Sequence, residues 1–290
     1  MEKIGIVILH YGDPKVTDKC VKSILSADRQ RRIHIVIVDN DFENRRVITT
    51  KRYQNEPCVT VLKNTEQHGF SHANNMGYRY AREELECTCI LVVNNDVEFL
   101  QQDLVERLER AVQQESCFIL APDVVRAGTG EHQNPLAKEL RTAEEAESTV
   151  KMNRTALKFF DILYPFLIFQ YKNMEKKETK RRKQGDSYKK KQKNIVPFGA
   201  CLVYMPRFVE REKRAFEPET NFYYEEYLLA LRCRRKGYEI LYDPSIQVFH
   251  ESGSSTRTSL KNEKEKLRFI MQNTADSCSI YAEEKRTEEI

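Results

Sequence analysis

Polar side chains suited to binding or proton transfer gather at the ends of apolar runs. His10-Tyr11-Gly12-Asp13 follows the run Ile4–Leu9, Asp39-Asn40 follows Ile33–Val38, and Asn94-Asn95-Asp96 follows Cys89–Val93. Further along lie Gly69-Phe70 with Asn75, the acidic pair Glu225-Glu226, and His250 after a second apolar stretch. Carboxylates can hold a hard cation through oxygen or take a proton from an attacking hydroxyl. Each cluster also has a plainer use: Asn-Asn-Asp favours a turn, Asp39 can cap a helix, paired acids suit the positive end of a helix, and a lone histidine can be structural.

The elements that position these groups follow from the hydrophobic pattern. Strands are expected at 4–9, 33–38, 59–62, 89–93 and 118–121, with helices over 16–25, from Ser71 to about 85, and through Leu100, Leu104, Leu108 and Ala111. Such βα repetition predicts an α/β fold with a mostly parallel sheet, ligand groups standing at the carboxyl ends of its strands. Tyr11, Asp39 and Asp96 all fall just past such ends. The pattern dissolves between Gly128 and Lys193 and resumes with a strand at 201–205, a helix at 223–236 and a strand at 238–242.

The intervening segment has its own character. In Ala156–Tyr171, 13 of 16 residues are apolar or aromatic, with Leu157, Phe160, Leu163, Phe166 and Phe169 as a stripe and Pro165 expected to interrupt any helix. Lys172–Lys193 follows with eleven cations against three acids, +8, while the whole 290-residue chain carries only +4. The remainder, at −4, is a mildly acidic globular protein. An apolar wedge beside a basic run is the two-signal pattern of reversible attachment to an anionic membrane through 156–193. Packing on the catalytic body or on a second subunit is the alternative. With little aromatic interleaving, the basic run gives no specific nucleic-acid site.

Composition excludes several classes. At 40% apolar and 32% charged residues with nearly balanced signs, the chain is neither disordered nor low-complexity. Eight dispersed cysteines without a C-x-x-C pair suggest reduced thiols in a cytoplasmic protein. Met1–Asp13 does not read as a signal peptide, and no run approaches a spanning helix. Phosphate-loop, dinucleotide, zinc-protease and serine-hydrolase motifs are absent.

Taken in order, HYGD, VDND, HGFSHANNMG, VVNNDVEF, FGACLVYMPR, FYYEEYLLALRCRRKGYEILYDP and VFHESGSS resemble the signature of family 2 glycosyltransferases with the GT-A fold, over roughly 3–125 and 196–255. The resemblance implies a Rossmann-like sheet flanked by helices, with a helical and basic insertion. It divides the chain into a nucleotide-sugar-binding half (1–127), the insertion (128–195), an acceptor and catalytic half (196–257) and a C-terminal helix and tail (258–290).

It also implies residue roles. Asn94-Asn95-Asp96 stands at the family's D-x-D position, with Asp96 holding Mn2+ or Mg2+ and His250 approaching the metal or diphosphate. Tyr11, Asp39, Asn40, Gly69, Phe70, Asn75, Asn94 and Asn95 would bind the donor. Glu226 would be the catalytic base, with Glu225 on the acceptor side. Gln67 replaces the family's usual asparagine, and Leu228 an aspartate. Ser252–Ser255 would supply hydroxyls near the phosphates, and Gln133-Asn134-Pro135 would line the acceptor side. The expected activity is inverting transfer from a UDP- or dTDP-sugar to a glycan or lipid-linked glycan, in bacterial surface polysaccharide assembly at the inner face of the membrane. The opening HYGD resembles the rhamnosyltransferase-like branch. A catalytically silent scaffold and a sugar-nucleotide pyrophosphorylase are the rivals.

Overall fold

The structure is a computed structural model and describes residues 3–40, 50–65, 69–184, 186–251 and 262–289. Strand β1 (Ile4–His10) is buried along its length, and its alternating side chains feed two cores. Ile4, Ile6 and Ile8 meet α1 (Pro14–Ala27) and α3 (Leu104–Gln114) on one face; Val7 and Leu9 join the core under α2 (Phe70–Glu83) on the other. Asp13 caps α1 by accepting from the Lys15 amide at 2.9 Å, and Pro14 occupies the first turn, where no amide is needed.

Strand β1 pairs in parallel with β2 (Ile33–Asp39) and β4 (Cys89–Asn94), and β2 with β3 (Val59–Lys63). Register places His10 beside Asp39 and Leu9 beside Asn94, so three strand ends open on one rim. The far side is built by β6 (Ile119–Arg126) and the long β10 (Ile240–His250), also parallel. Between β4 and β6 lies β9 (Cys201–Tyr204), antiparallel to both. Short strands complete the sheet: β5 (Val97–Glu98) and β8 (Gln192–Lys193) on β10, and β7 (Glu131–His132) on β6. Helices α6 (Pro206–Arg211) and α7 (Glu225–Lys236) follow β9. The expected α/β architecture is therefore present, and all eight cysteines are buried within it.

The insertion is more ordered than its sequence pattern suggests. It forms α4 (Ala143–Lys158), opened by a Thr142–Glu145 capping box, and α5 (Phe160–Gln184), which runs through Pro165. Proline in the second turn removes only the bond to the Asp161 carbonyl, and packing on α8 (Glu263–Glu289) compensates. The expected stripe is not one face. A three-residue step falls about 60° short of a full turn, so Phe160 is buried against Leu267 and Met271 whereas Phe166 and Phe169 point outward. Likewise, α3 starts at Leu104, leaving Leu100 exposed, and the expected strand at 238–242 is the start of β10, which continues past a bulge between Asp243 and Gln247. Among the described residues no helix is long and apolar enough to cross a membrane.

Candidate active site

A cleft of about 340 Å³ opens at the carboxyl ends of β1, β2 and β4. Among the described residues its walls include Tyr11, Asn40, Phe70, Asn94, Asn95, Asp96, Glu225, Glu226 and His250. Nine of the twelve site residues expected from the sequence thus share one cavity. Asp39, Gly69 and Asn75 are not among its walls.

The Asn94–Asp96 turn is locked from both sides. The Asn94 amide donates to the Ala200 carbonyl at 2.9 Å, and Asn95 Nδ2 donates to the Tyr11 carbonyl and Thr17 hydroxyl at 3.1 and 3.0 Å. Thr17 also meets His10 Nδ1 at 2.8 Å, tying the Tyr11 loop to the same turn. Asn95 therefore holds the loop rather than presenting its amide to the cleft. Because β5 pairs with the end of β10, Val97 stands opposite His250. That register brings His250 Nε2 to 3.2 Å from Asp96 Oδ1, both side chains buried at the cleft edge.

These two residues fit a divalent cation. Among the described residues no group of three or more His, Cys, Asp or Glu side chains converges, so the protein offers a partial ligand set. Mg2+-like ions are commonly held by one or two carboxylates, with substrate phosphates and water completing the shell.

The acidic pair at the start of α7 lines the same cleft. Glu226 Oε1 accepts from the Gly199 amide at 3.3 Å, and a Cβ on residue 199 would lie 2.7 Å from that oxygen. Glycine at 199 is what lets the carboxylate approach. Burial raises the Glu226 pKa above the ordinary glutamate value. Glu225 is only 6% exposed; burial and then the neighbouring Glu226 charge push it up to about 8.

Backbone strain sets the pair in place. Tyr223 and Tyr224 both have left-handed φ, 69° and 66°, a conformation costing a non-glycine residue on the order of 1–3 kcal/mol. Arg141 Nη1 donates to the Tyr224 hydroxyl at 2.8 Å, the Tyr281 ring packs on Tyr224, and Ser277 donates to the Phe222 carbonyl at 2.8 Å. The C-terminal helix therefore buttresses the acidic pair. It also lends Phe269, which with Phe222, Phe216 and Phe198 gives the cleft an aromatic wall that sequence patterning missed.

Three expected donor ligands stand outside the walls of the cleft. Asp39 is buried at the end of β2, leaving Asn40 to face the cleft with its Oδ1 accepting from Asn64 at 2.7 Å. Gly69 caps α2 where a Cβ would lie 2.1 Å from the Asn221 Cα. Asn75 clamps the loop before α7, donating to the Phe216 carbonyl and Glu219 carboxylate at 2.8 and 2.9 Å and accepting from the Phe216 amide at 3.0 Å. Gln133 Oε1 meets His250 Nδ1 at 2.8 Å. Gln67 and Ser252–Ser255 lie outside the described residues.

The chain belongs to glycosyl transferase family 2, whose model matches residues 5–202. It is similar to a low-salt glycan biosynthesis hexosyltransferase, Agl10, of Haloferax volcanii, 26% identical over 140 residues, which are 47% of this chain and 41% of that protein. The chain thus spans less than half the length of that relative. Its fold resembles that of S. aureus TarS 1–349 (12% identity, TM-score 0.53, covering 96% of this chain and 72% of that one). It also resembles the Pyrobaculum calidifontis mannosyltransferase PcManGT in complex with GDP-Man and Mn2+ (11% identity, TM-score 0.54, 99% and 74%). A third likeness is to GalNAc-T7 with UDP, GalNAc and Mn2+ (12% identity, TM-score 0.57, 86% and 44%).

Proposed function

We propose that the protein transfers a hexosyl or deoxyhexosyl group from a UDP- or dTDP-sugar to a hydroxyl of a glycan or lipid-linked glycan, with inversion at the anomeric carbon. The observation that carries this reading is that the Asp96–His250 pair and Glu226 line one cleft. Glu226 takes the acceptor hydroxyl proton. Its Oε1 is fixed by the Gly199 amide, which leaves Oε2 for the acceptor. The hydroxyl oxygen bonds to the anomeric carbon as the bond to the diphosphate breaks, and the electron pair leaves on the diphosphate. Asp96 and His250 would hold Mn2+ or Mg2+, which when bound supplies positive charge to the departing diphosphate. A base whose pKa is raised by burial is matched to proton transfer near neutral pH. Tyr11, Asn40 and Phe70 would face the donor.

Two measurements test this. A thermal-shift panel of UDP, dTDP, GDP and CDP, with and without Mn2+ or Mg2+, should give a cation-dependent rise with a pyrimidine diphosphate, since a ligand of the native state stabilises it. Glu226→Gln should retain that rise and lose roughly 100- to 10,000-fold in turnover. A wild-type chain without turnover, or a variant with unchanged turnover, refutes the assignment.

A role in bacterial surface polysaccharide assembly, docked peripherally on the inner face of the membrane, is the wider reading. It is supported by the outer face of α5, where Ile162, Phe166 and Phe169 are 81%, 58% and 63% exposed. Exposed Lys176, Lys177 and Lys180 follow on the same helix. Several other cations of the basic run are paired internally, among them Arg182 with Glu131 and Lys191 with Glu115 and Asp243. Flotation with anionic vesicles should carry the protein upward at low salt; its absence there refutes membrane docking.

A further inference from the structure

We propose that Gln133 is a positioning residue that sets the tautomer of His250 and thereby aims a nitrogen lone pair at the cation site. The proposal rests on the reading that Asp96 and His250 hold the cation.

Gln133 Oε1 stands 2.8 Å from His250 Nδ1, both side chains buried. An amide oxygen only accepts, so the ring must donate from Nδ1. In the neutral ring the second nitrogen then carries no proton. That nitrogen, Nε2, lies 3.2 Å from Asp96 Oδ1. Nε2 is thus the ring nitrogen on the Asp96 side, and a hydrogen bond accepted by Gln133 on the far side of the ring keeps the Nε2 lone pair available to a cation held there. Phe198, edge-on to the ring at 5.7 Å, limits its rotation.

Gln133 is itself held by the insertion. Its amide donates to the Val124 carbonyl at 2.8 Å, and Arg182 of α5 donates to its carbonyl at 3.1 Å. Two residues earlier, Glu131 is buried between Arg126 at 3.2 Å and Arg182 at 3.8 Å and accepts from Thr179 at 3.2 Å. Helix α5 lies outside the segments that carry the family resemblance, yet it reaches Asp96 through three contacts: Arg182 to Gln133, Gln133 to His250 and His250 to Asp96.

The test uses the full chain with 15N-labelled histidine. Long-range 15N–1H spectra at pH 8 without metal report which ring nitrogen of His250 is protonated, the signal being identified by its loss in His250→Gln. We expect Nδ1–H in the wild type and in Gln133→Glu, which keeps an oxygen acceptor, and loss of that preference in Gln133→Leu. A wild-type ring protonated at Nε2, or an unchanged tautomer in Gln133→Leu, overturns the proposal. Mn2+ titration, followed by paramagnetic broadening of the His250 signals, should show roughly 10- to 100-fold weaker binding in Gln133→Leu and recovery in Gln133→Glu. If Asp96→Asn binds Mn2+ as the wild type does, the cation reading itself falls and the proposal with it. If Asp96→Asn loses binding while Gln133→Leu keeps it, the role of Gln133 alone falls.

Discussion

Replacing Glu225 by glutamine should make the protein more stable, by an amount that depends on pH in a calculable way. The Glu225 carboxyl is buried, and its Oε1 has no hydrogen-bond partner while Thr220 bonds the group from the other side. Its pKa is pushed from 4.5 up to about 8. In the unfolded chain it ionises near the ordinary value, so across that window the native state keeps a proton that the unfolded state has released. The associated stability is fully present below the unfolded value, is lost progressively as pH rises, and is gone above about 8. A shift of this size corresponds to at most ~5 kcal/mol. Because the titration is shared with Glu226, the working expectation is about 2–3 kcal/mol. Glutamine keeps the shape and never ionises, so the variant escapes the loss. Urea denaturation from pH 5 to 8.5 should show two nearly coincident curves at the acid end, diverging until the variant leads at pH 8.5. A difference that does not change with pH, or one that favours the wild type at pH 8.5, refutes the reasoning.

Other expectations concern packing and surface. Gly69→Ala places a Cβ 2.1 Å from the Asn221 Cα and 2.5 Å from its carbonyl oxygen, backbone that cannot swing away, and should lower stability by about 1–3 kcal/mol in a thermal melt. Asn75→Ala removes three hydrogen bonds from the loop before α7 and should lower stability by about 2–4 kcal/mol. Nucleotide affinity by calorimetry should fall less than tenfold, because Asn75 does not line the cleft. Phe166→Ser with Phe169→Ser should leave the unfolding free energy within about 0.5 kcal/mol of wild type, as both side chains are exposed, while sedimentation with anionic vesicles drops.

What could be read from the sequence tracks how each residue is used. The first strands were legible because they are buried on both faces, so runs such as IGIVIL carry the signal in every residue. The polar residues past them were legible because parallel strands end together. Helix α5 was not, since it buries only part of its surface against α8 and exposes aromatics elsewhere, which blurs any 3.6-residue period. Asn75 illustrates a different limit. Its place after G-F marks a site, but an asparagine amide serves a loop as well as a ligand, and only the fold decides which. The contacts of Gly199 and Gln133 are invisible in the sequence because their partners, Glu226 and His250, stand 27 and 117 residues away.

Strand β9 has a consequence for the order in which the molecule assembles during synthesis. The two strands beside it are matched to it register by register, Leu91 and Leu120 each meeting Val203 from opposite sides. A nascent chain that ends near residue 127 would hold two open, apolar strand edges with no strand between them, an invitation to pair with other chains. The gap closes only once Tyr204 has left the ribosome, and the insertion is the tether that must loop out meanwhile. The Leu136 amide bonds the Val196 carbonyl at 3.0 Å, pinning the two ends of that tether together. Chains stalled between about 127 and 204 should therefore be the ones captured by chaperones.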